Sequence, residues 1–416
     1  TLVSFDNTNG ASPEGGLVLG KDGALYGTTY YGGSANFGTI FKVTTNGDLT
    51  TLISFNVLTN GAYPQSGLIQ GADDAFYGTT TWGGPDPTGD GTVFRVTTNG
   101  ALTTLTSFAY YDGTNQYPNG MSRTVRMMGK DGVFTVATQT GGSKDSGTIF
   151  RVTTNGSLST LASFTDTNGF KDNVNLVTGS NGVFYGTTYG NQTERSTIFQ
   201  FNTNGELTTL ATFTNGFRFN TGLARAGDGS YFATADPTVF ETNYYGSRIF
   251  RLAIGKGAAT LTQLKELDGY FTEVGLTFGQ DRALYGTAYV GGDNNYGAVF
   301  KVATNGDVTA LASFENSYGA EPNGGLVQGN DGMFYGTSQG GAKNYGTVFR
   351  ITADGALTTL VTFDGENGGY PQGGLACDDD GVLYGTTSGG RMNFRGTVFR
   401  ITTKSILYYL ASFDGT

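Results

Sequence analysis

Two stretches decide the fold: Gly16-Leu17-Val18-Leu19-Gly20-Lys21-Asp22-Gly23-Ala24-Leu25-Tyr26-Gly27-Thr28, and Thr39-Ile40-Phe41-Lys42-Val43-Thr44-Thr45-Asn46-Gly47-Asp48-Leu49-Thr50-Thr51-Leu52-Ile53-Ser54-Phe55. They hold four short apolar runs, 16–19, 24–28, 39–43 and 49–55, which we label strands A, B, C and D. Asp22-Gly23 separates A from B, and Asn46-Gly47 separates C from D. Such pairs supply the positive φ of tight hairpin turns, so A pairs with B and C with D, antiparallel. The B–C and D–A connections are longer and irregular.

Working outward, the D run recurs as a Leu-x-x-Phe step at Leu2/Phe5, Leu52/Phe55, Leu105/Phe108, Leu161/Phe164, Leu210/Phe213, Leu264/Leu267, Leu311/Phe314, Leu360/Phe363 and Leu410/Phe413. Successive leucines stand 50, 53, 56, 49, 54, 47, 49 and 50 residues apart. Four antiparallel strands at a period near fifty describe a propeller blade, because one such unit cannot bury its apolar face without neighbours. Eight A–B–C sets predict an all-β, eight-bladed β-propeller of four-stranded antiparallel blades, occupying 1–416 as one domain. The D run appears nine times, once at each chain end, so one blade is closed by a terminal strand and one copy is spare. That spare copy either adds a strand, marks a boundary in a longer array, or pairs with another molecule and drives self-association by strand exchange.

Composition agrees with an all-β reading: Gly reaches 69 of 416 residues and aromatics 13%. The 24 basic and 34 acidic residues give a net charge of −10, which repels phosphate backbones and anionic lipid; nucleic acid is excluded as a partner. No run approaches the roughly 18 apolar residues of a membrane span, so no membrane insertion is expected. Cys377 stands alone and forms no internal disulfide. No secretory signal opens the sequence, so such a segment is absent or already removed. The abundance of Thr, Asn and Gly with a single Cys fits a bacterial protein that is extracellular or at the cell surface.

The string carried by Phe76-Tyr77-Gly78-Thr79-Thr80 and Gly91-Thr92-Val93-Phe94-Arg95-Val96 resembles the GloVer tandem repeat of gloeobacterial and verrucomicrobial exported proteins, over essentially the whole chain. That resemblance implies a propeller-like exported protein, commonly with a C-terminal sorting anchor, and no catalytic residues to transfer.

Antiparallel order puts the tight turns on one rim and the longer loops on the other, where loop-borne function belongs. The loop-rich rim carries Tyr30, Tyr31, Phe37, Trp82, Tyr189, Tyr244, Tyr245, Tyr289, Tyr296, Tyr345 and Phe394. Flat aromatic faces bordered by Asn, Asp and Gly suit a sugar ring, whose C–H face stacks while its hydroxyls meet amides and carboxylates. Phe37, Tyr245, Tyr296 and Tyr345 share nearly one offset before strand C, which reads as a repeated structural plug. Trp82, the only Trp, breaks that pattern.

Blades three to five depart most from the repeat. They bring Arg123, Arg126 and Arg225 to the channel-lining strand A, where guanidinium groups suit an anion or a carboxylated sugar. Asp236 belongs to a long excursion in blade five. The absence of histidine excludes imidazole bases, catalytic triads and histidine metal sites. No calcium loop or phosphate cradle is present, so no cofactor is expected. The residues therefore favour a binding or scaffold propeller that recognises a glycan or a protein through its loop-rich rim. The alternative is a polysaccharide lyase or glycoside hydrolase at blades three to five, with Asp172, Glu194, Asp236 and Glu241 as acid and base candidates, or Tyr with Arg for β-elimination.

Overall fold

A computed structural model describes residues 3–85, 89–108, 127–130, 133–138, 146–165, 172–179, 182–189, 196–213, 217–219, 222–237, 246–255, 259–268, 275–303, 305–315, 319–371, 373–389 and 396–402. They form eight antiparallel sheets, and no helix occurs among the described residues. Blade one is Val18–Leu19, Leu25–Thr29, Thr39–Val43 and Leu49–Ser54. Seven sheets have four strands. The blade-five sheet has five, because Phe217–Arg218 and Ala224–Arg225 both lie beside Tyr231–Pro237.

The conserved-looking letters of the repeat each have a physical task. In Tyr26-Gly27-Thr28 the glycine stands opposite Phe41 in the B–C ladder, and a Cβ there would meet Phe41 Cζ at 2.5 Å. The Leu of Leu-x-x-Phe is the bulged residue of strand D: Ile40 pairs with Ile53 and Phe41 with Thr51, so Leu52 is skipped. Leu105, Leu161, Leu210, Leu264, Leu311 and Leu360 are skipped in the same way. A bulge bends and twists the outer strand, which lets it wrap toward the next blade.

The Phe of the step then latches that next blade. Phe55 packs on Phe94 with ring centroids 5.3 Å apart, and the other latches are Phe5–Phe41, Phe108–Phe150, Phe164–Phe199, Phe213–Phe250, Phe314–Phe349 and Phe363–Phe399. Phe5, Phe41, Phe55, Phe94, Phe150, Phe349 and Phe399 are all buried. The junction between blades five and six has Leu267 where the others have Phe. A second layer stacks Tyr of strand B on the following blade, as in Tyr26–Phe76 at 4.0 Å and Tyr285–Phe334 at 3.9 Å.

The hydroxyl of that Tyr donates to the aspartate of its own A–B turn, which also meets a strand C cation. Tyr26–Asp22–Lys42, Tyr77–Asp73–Arg95 and Tyr285–Asp281–Lys301 are three such sets. Burial works to raise each aspartate's pKa, but the bonds from the cation, the phenol and a backbone N–H outweigh it and leave the pKa lowered.

Ring closure uses the N-terminal copy of the D run. Val3 pairs with Val398 and Ser4 with Thr397, making Val3–Ser4 the outer strand of a blade completed by Ala376–Cys377, Leu383–Thr387 and Thr397–Ile401. The C-terminal copy, Leu410 to Phe413, lies outside the described residues.

Candidate functional site: an aromatic face on the loop-rich rim

The loop-rich rim is built by a device repeated at four junctions. Ser12, Tyr63, Glu321 and Tyr370 each precede a proline and hold φ between 53° and 58°. Left-handed backbone at a non-glycine residue is held only by surrounding structure. Here the N–H of Tyr63 donates to Phe37 O, that of Glu321 to Tyr296 O, and that of Tyr370 to Tyr345 O, each across a blade junction. The proline seats on the preceding blade's glycine: a Cβ on Gly38 would meet Pro64 Cδ at 2.7 Å, and Gly297, Gly346 and Gly396 face Pro322, Pro371 and Pro13 likewise. Phe37, Tyr296 and Tyr345 therefore share a structural offset because their carbonyls anchor the next loop.

This device turns a tyrosine side chain outward at the junction of blades one and two. Tyr30 and Tyr63 stack with centroids 5.0 Å apart and 23° between planes, Tyr31 meets Tyr30 edge-on at 4.6 Å, and Phe37 closes on Tyr63 at 5.8 Å. Tyr31 remains 43% exposed and Trp82, its counterpart in blade two, 40%. Both are held by the same antiparallel bridge, Ala11 with Tyr31 and Ala62 with Trp82. Leu58 in the adjoining D–A loop is 77% exposed, and its loop is tied to the Trp82 loop by Gly84 N donating to Val57 O at 2.8 Å. Exposed Asn36 and Asn56 border these groups. A second aromatic pair, Tyr345–Tyr370 at 5.6 Å, stands at the junction of blades seven and eight.

The remaining sequence candidates are placed as follows. Tyr289 is half-buried and donates to Glu321 Oε2 at 3.1 Å across the six–seven junction. Tyr189 ends a blade-four strand, and its side chain, like that of Asp172, lies outside the described residues. Arg123, Arg126, Glu194, Glu241, Tyr244, Tyr245 and Phe394 also lie outside them. Arg225 is exposed on strand A of blade five, opposite Tyr231. Tyr231 meets Tyr185 in a tilted pair with centroids 4.6 Å apart, and both phenols are pushed up by burial, with the Arg225 charge opposing. Asp236 is 1% exposed and accepts a hydrogen bond from Ser247 Oγ inside the sheet, so its carboxylate faces inward rather than toward solvent. Among the described residues, no group of three His, Cys, Asp or Glu could hold a metal ion, and no helix is long and apolar enough to cross a membrane.

Tyr63, Leu58 and Tyr370 are the rim residues that sequence reading misses. The Tyr-Pro steps Tyr63-Pro64 and Tyr370-Pro371 are the available signal, but nothing in them announces left-handed backbone.

No curated protein sequence matches this one. Among solved structures, dipeptidyl peptidase 4 of Porphyromonas gingivalis is similar with a TM-score of 0.56 at 10% identity, covering 97% of this chain and 59% of that one. Puromycin hydrolase gives 0.53 at 12%, covering 84% and 54%, so this chain spans little more than half of either protein. The periplasmic gluconolactonase of Pseudomonas aeruginosa gives 0.48 at 16%, covering 84% and 96%. At such identities the likeness to the first two is one of fold alone. A family model described as the Gloeobacter/Verrucomicrobia repeat matches residues 1–123, 70–238 and 219–416, end to end across the eight blades. The chain belongs to the Gloeobacter/Verrucomicrobia repeat family.

Proposed function

We propose that this chain is an exported binding propeller that recognises a neutral glycan through the loop-rich rim of blades one and two. The observation that carries the reading is the exposed Tyr31 and Trp82 beside the Tyr30–Tyr63 stack, at 43% and 40% exposure. Large aromatics left in solvent on a chain that buries most of its described rings form a preformed platform. Sugar C–H faces stack on such rings, and the side-chain amide N–H groups of Asn36 and Asn56, whose oxygens already accept from Gly32 N and Leu58 N, donate to hydroxyls. The net charge of −10 directs the site toward uncharged ligands and away from nucleic acid.

The test is a glycan array on the full chain, followed by titration of the best neutral oligosaccharide by isothermal calorimetry, which reads every variant alike. Trp82→Ala and Tyr31→Ala each lower affinity at least tenfold and leave the melting temperature within about 2 °C, since truncating a solvent-facing ring costs little stability. Reducing-end and unsaturated-product assays on the same ligand show no turnover. Undiminished binding in both variants sinks the assignment of this face, and product formation replaces a binder with an enzyme.

A further inference from the structure

The opposite rim carries a second feature, at the one junction without a Phe latch. Between the A–B turns of blades five and six lies a cleft of about 590 Å³ with Phe232, Leu284, Val302 and the exposed Phe278 as apolar wall. At the one–two and six–seven junctions this place is taken by Tyr26 on Phe76 and Tyr285 on Phe334; here Phe232 and Leu284 occupy the equivalent positions.

The mouth of the cleft breaks the repeat twice more. The third residue of the turn is glycine in six blades, Asp74 in blade two and Arg282 in blade six. Asp74 and Arg282 both adopt left-handed backbone, φ 62° and 66°. Asp74 is answered by Lys21 of the preceding blade, Nζ to Oδ1 at 2.5 Å. The residue equivalent to Lys21 opposite Arg282 is Gly227. That junction therefore lacks both the side chain that would fill the gap and the charge that would answer the arginine. The Arg282 backbone N–H donates to Gly279 O, but its guanidinium makes no hydrogen bond or ion pair with the described residues. The other charges of the mouth are already matched, Asp228 with Arg251 and Asp281 with Lys301, each at 2.7 Å.

We propose that this cleft is a binding site for a carboxylated sugar, a hexuronate or the uronic end of a longer chain. Its carboxylate pairs with the Arg282 guanidinium as Lys21 pairs with Asp74 at the junction of blades one and two. Its C–H face lies on Phe278, and its hydroxyls donate to the outward lone pairs of Asp228 and Asp281. A ligand with a carboxylate and no hydroxyl donors forgoes those added hydrogen bonds, which separates a uronate from a simple aromatic acid. A volume near 600 Å³ is ordinary for a small-ligand pocket.

The probes are glucuronate, glucose and benzoate, titrated into the full chain by calorimetry with saturation-transfer NMR for contacts. Glucuronate binds, glucose and benzoate bind at least tenfold more weakly, and the NMR contacts fall on the sugar C–H face. Arg282→Gly loses glucuronate at least tenfold while its melting temperature holds or rises, because glycine relieves the left-handed residue. Gly227→Asp, which supplies an internal partner for Arg282, loses it equally. Trp82→Ala leaves glucuronate binding unchanged, so this site and the loop-rich rim stand or fall separately. Full affinity in Arg282→Gly or in Gly227→Asp overturns the proposal, as does glucose or benzoate binding as tightly as glucuronate.

Discussion

Phe5→Ala tests the closure of the ring more sharply than any internal substitution. Phe5 is 5% exposed and joins Leu17, Leu25, Phe41, Val43, Tyr384 and Val398 in the cluster between the last blade and the first. Losing the ring forfeits about 2 kcal/mol of transfer free energy. A residual void of roughly 60–100 Å³ adds about 1.5–2.4 kcal/mol at ~24 cal/mol per Å³, because ladders on both sides prevent collapse. The expected loss is about 3–5 kcal/mol, read from urea unfolding by circular dichroism and by the single Trp82 in parallel. Phe363→Ala, the same latch between blades seven and eight, costs a similar amount. The two differ in what they release. Blade seven's outer strand, Leu357–Thr362, continues from its own hairpin, whereas Val3–Ser4 reaches blade eight only through pairing with Val398 and Thr397. Amide exchange in Thr397–Ile401 therefore accelerates in Phe5→Ala and not in Phe363→Ala. A loss below about 1 kcal/mol in Phe5→Ala, or equal acceleration in both, refutes the closing role assigned to this strand.

Two further outcomes follow from the blade interior. Gly336→Ala places a Cβ 2.5 Å from Phe349 Cζ and 3.0 Å from Leu326 Cδ2, both buried, so it destabilises by about 1–3 kcal/mol, whereas the surface turn Gly332→Ala is limited to backbone strain. Asp281 has a pKa lowered in the fold, so its contribution is present at neutral pH and fades as pH falls from about 4 through that lowered value. Asp281→Asn flattens this acid limb while costing under about 1 kcal/mol at pH 7, since the ion pair is partly solvated; chemical denaturation from pH 2 to 7 checks it, and an unchanged limb rejects the assignment.

The blade count, the hairpin turns and the apolar core are legible in the sequence because each rests on local chemistry repeated at a fixed period. Asp22-Gly23 makes a turn wherever it occurs, and Phe41 is buried wherever strand C crosses a neighbour. The Leu-x-x-Phe step is visible as a pattern but not as a bulge followed by a latch, since the skipped residue appears only once strand C sets the register. Which chain end closes the ring is equally hidden, because both copies of the D run satisfy the same pattern. At the rim, Trp82 is legible as an exception and Tyr31 as one of the loop aromatics, and the Tyr30–Tyr63 stack is not legible. It depends on the left-handed backbone of Tyr63, imposed by a carbonyl and a glycine of the preceding blade. Asp236 shows the converse: its divergent surroundings make it look like a site residue, yet its carboxylate is satisfied within the sheet by Ser247.

A repeat this regular separates structural from functional residues by their relation to the period. Any side chain that recurs at a junction already has a task there: Phe55 latches, Tyr26 stacks and bonds, Pro64 seats on Gly38. Replacing it removes stability from one eighth of the ring. The binding roles proposed above fall to residues whose loss the ring would not feel, side chains that break the period while staying in solvent. Trp82 with Leu58 on one rim, and Arg282 facing Gly227 on the other, satisfy that condition. Arg282 satisfies it most strictly. It holds a backbone conformation that glycine would occupy at lower cost, so its presence opposes stability rather than serving it.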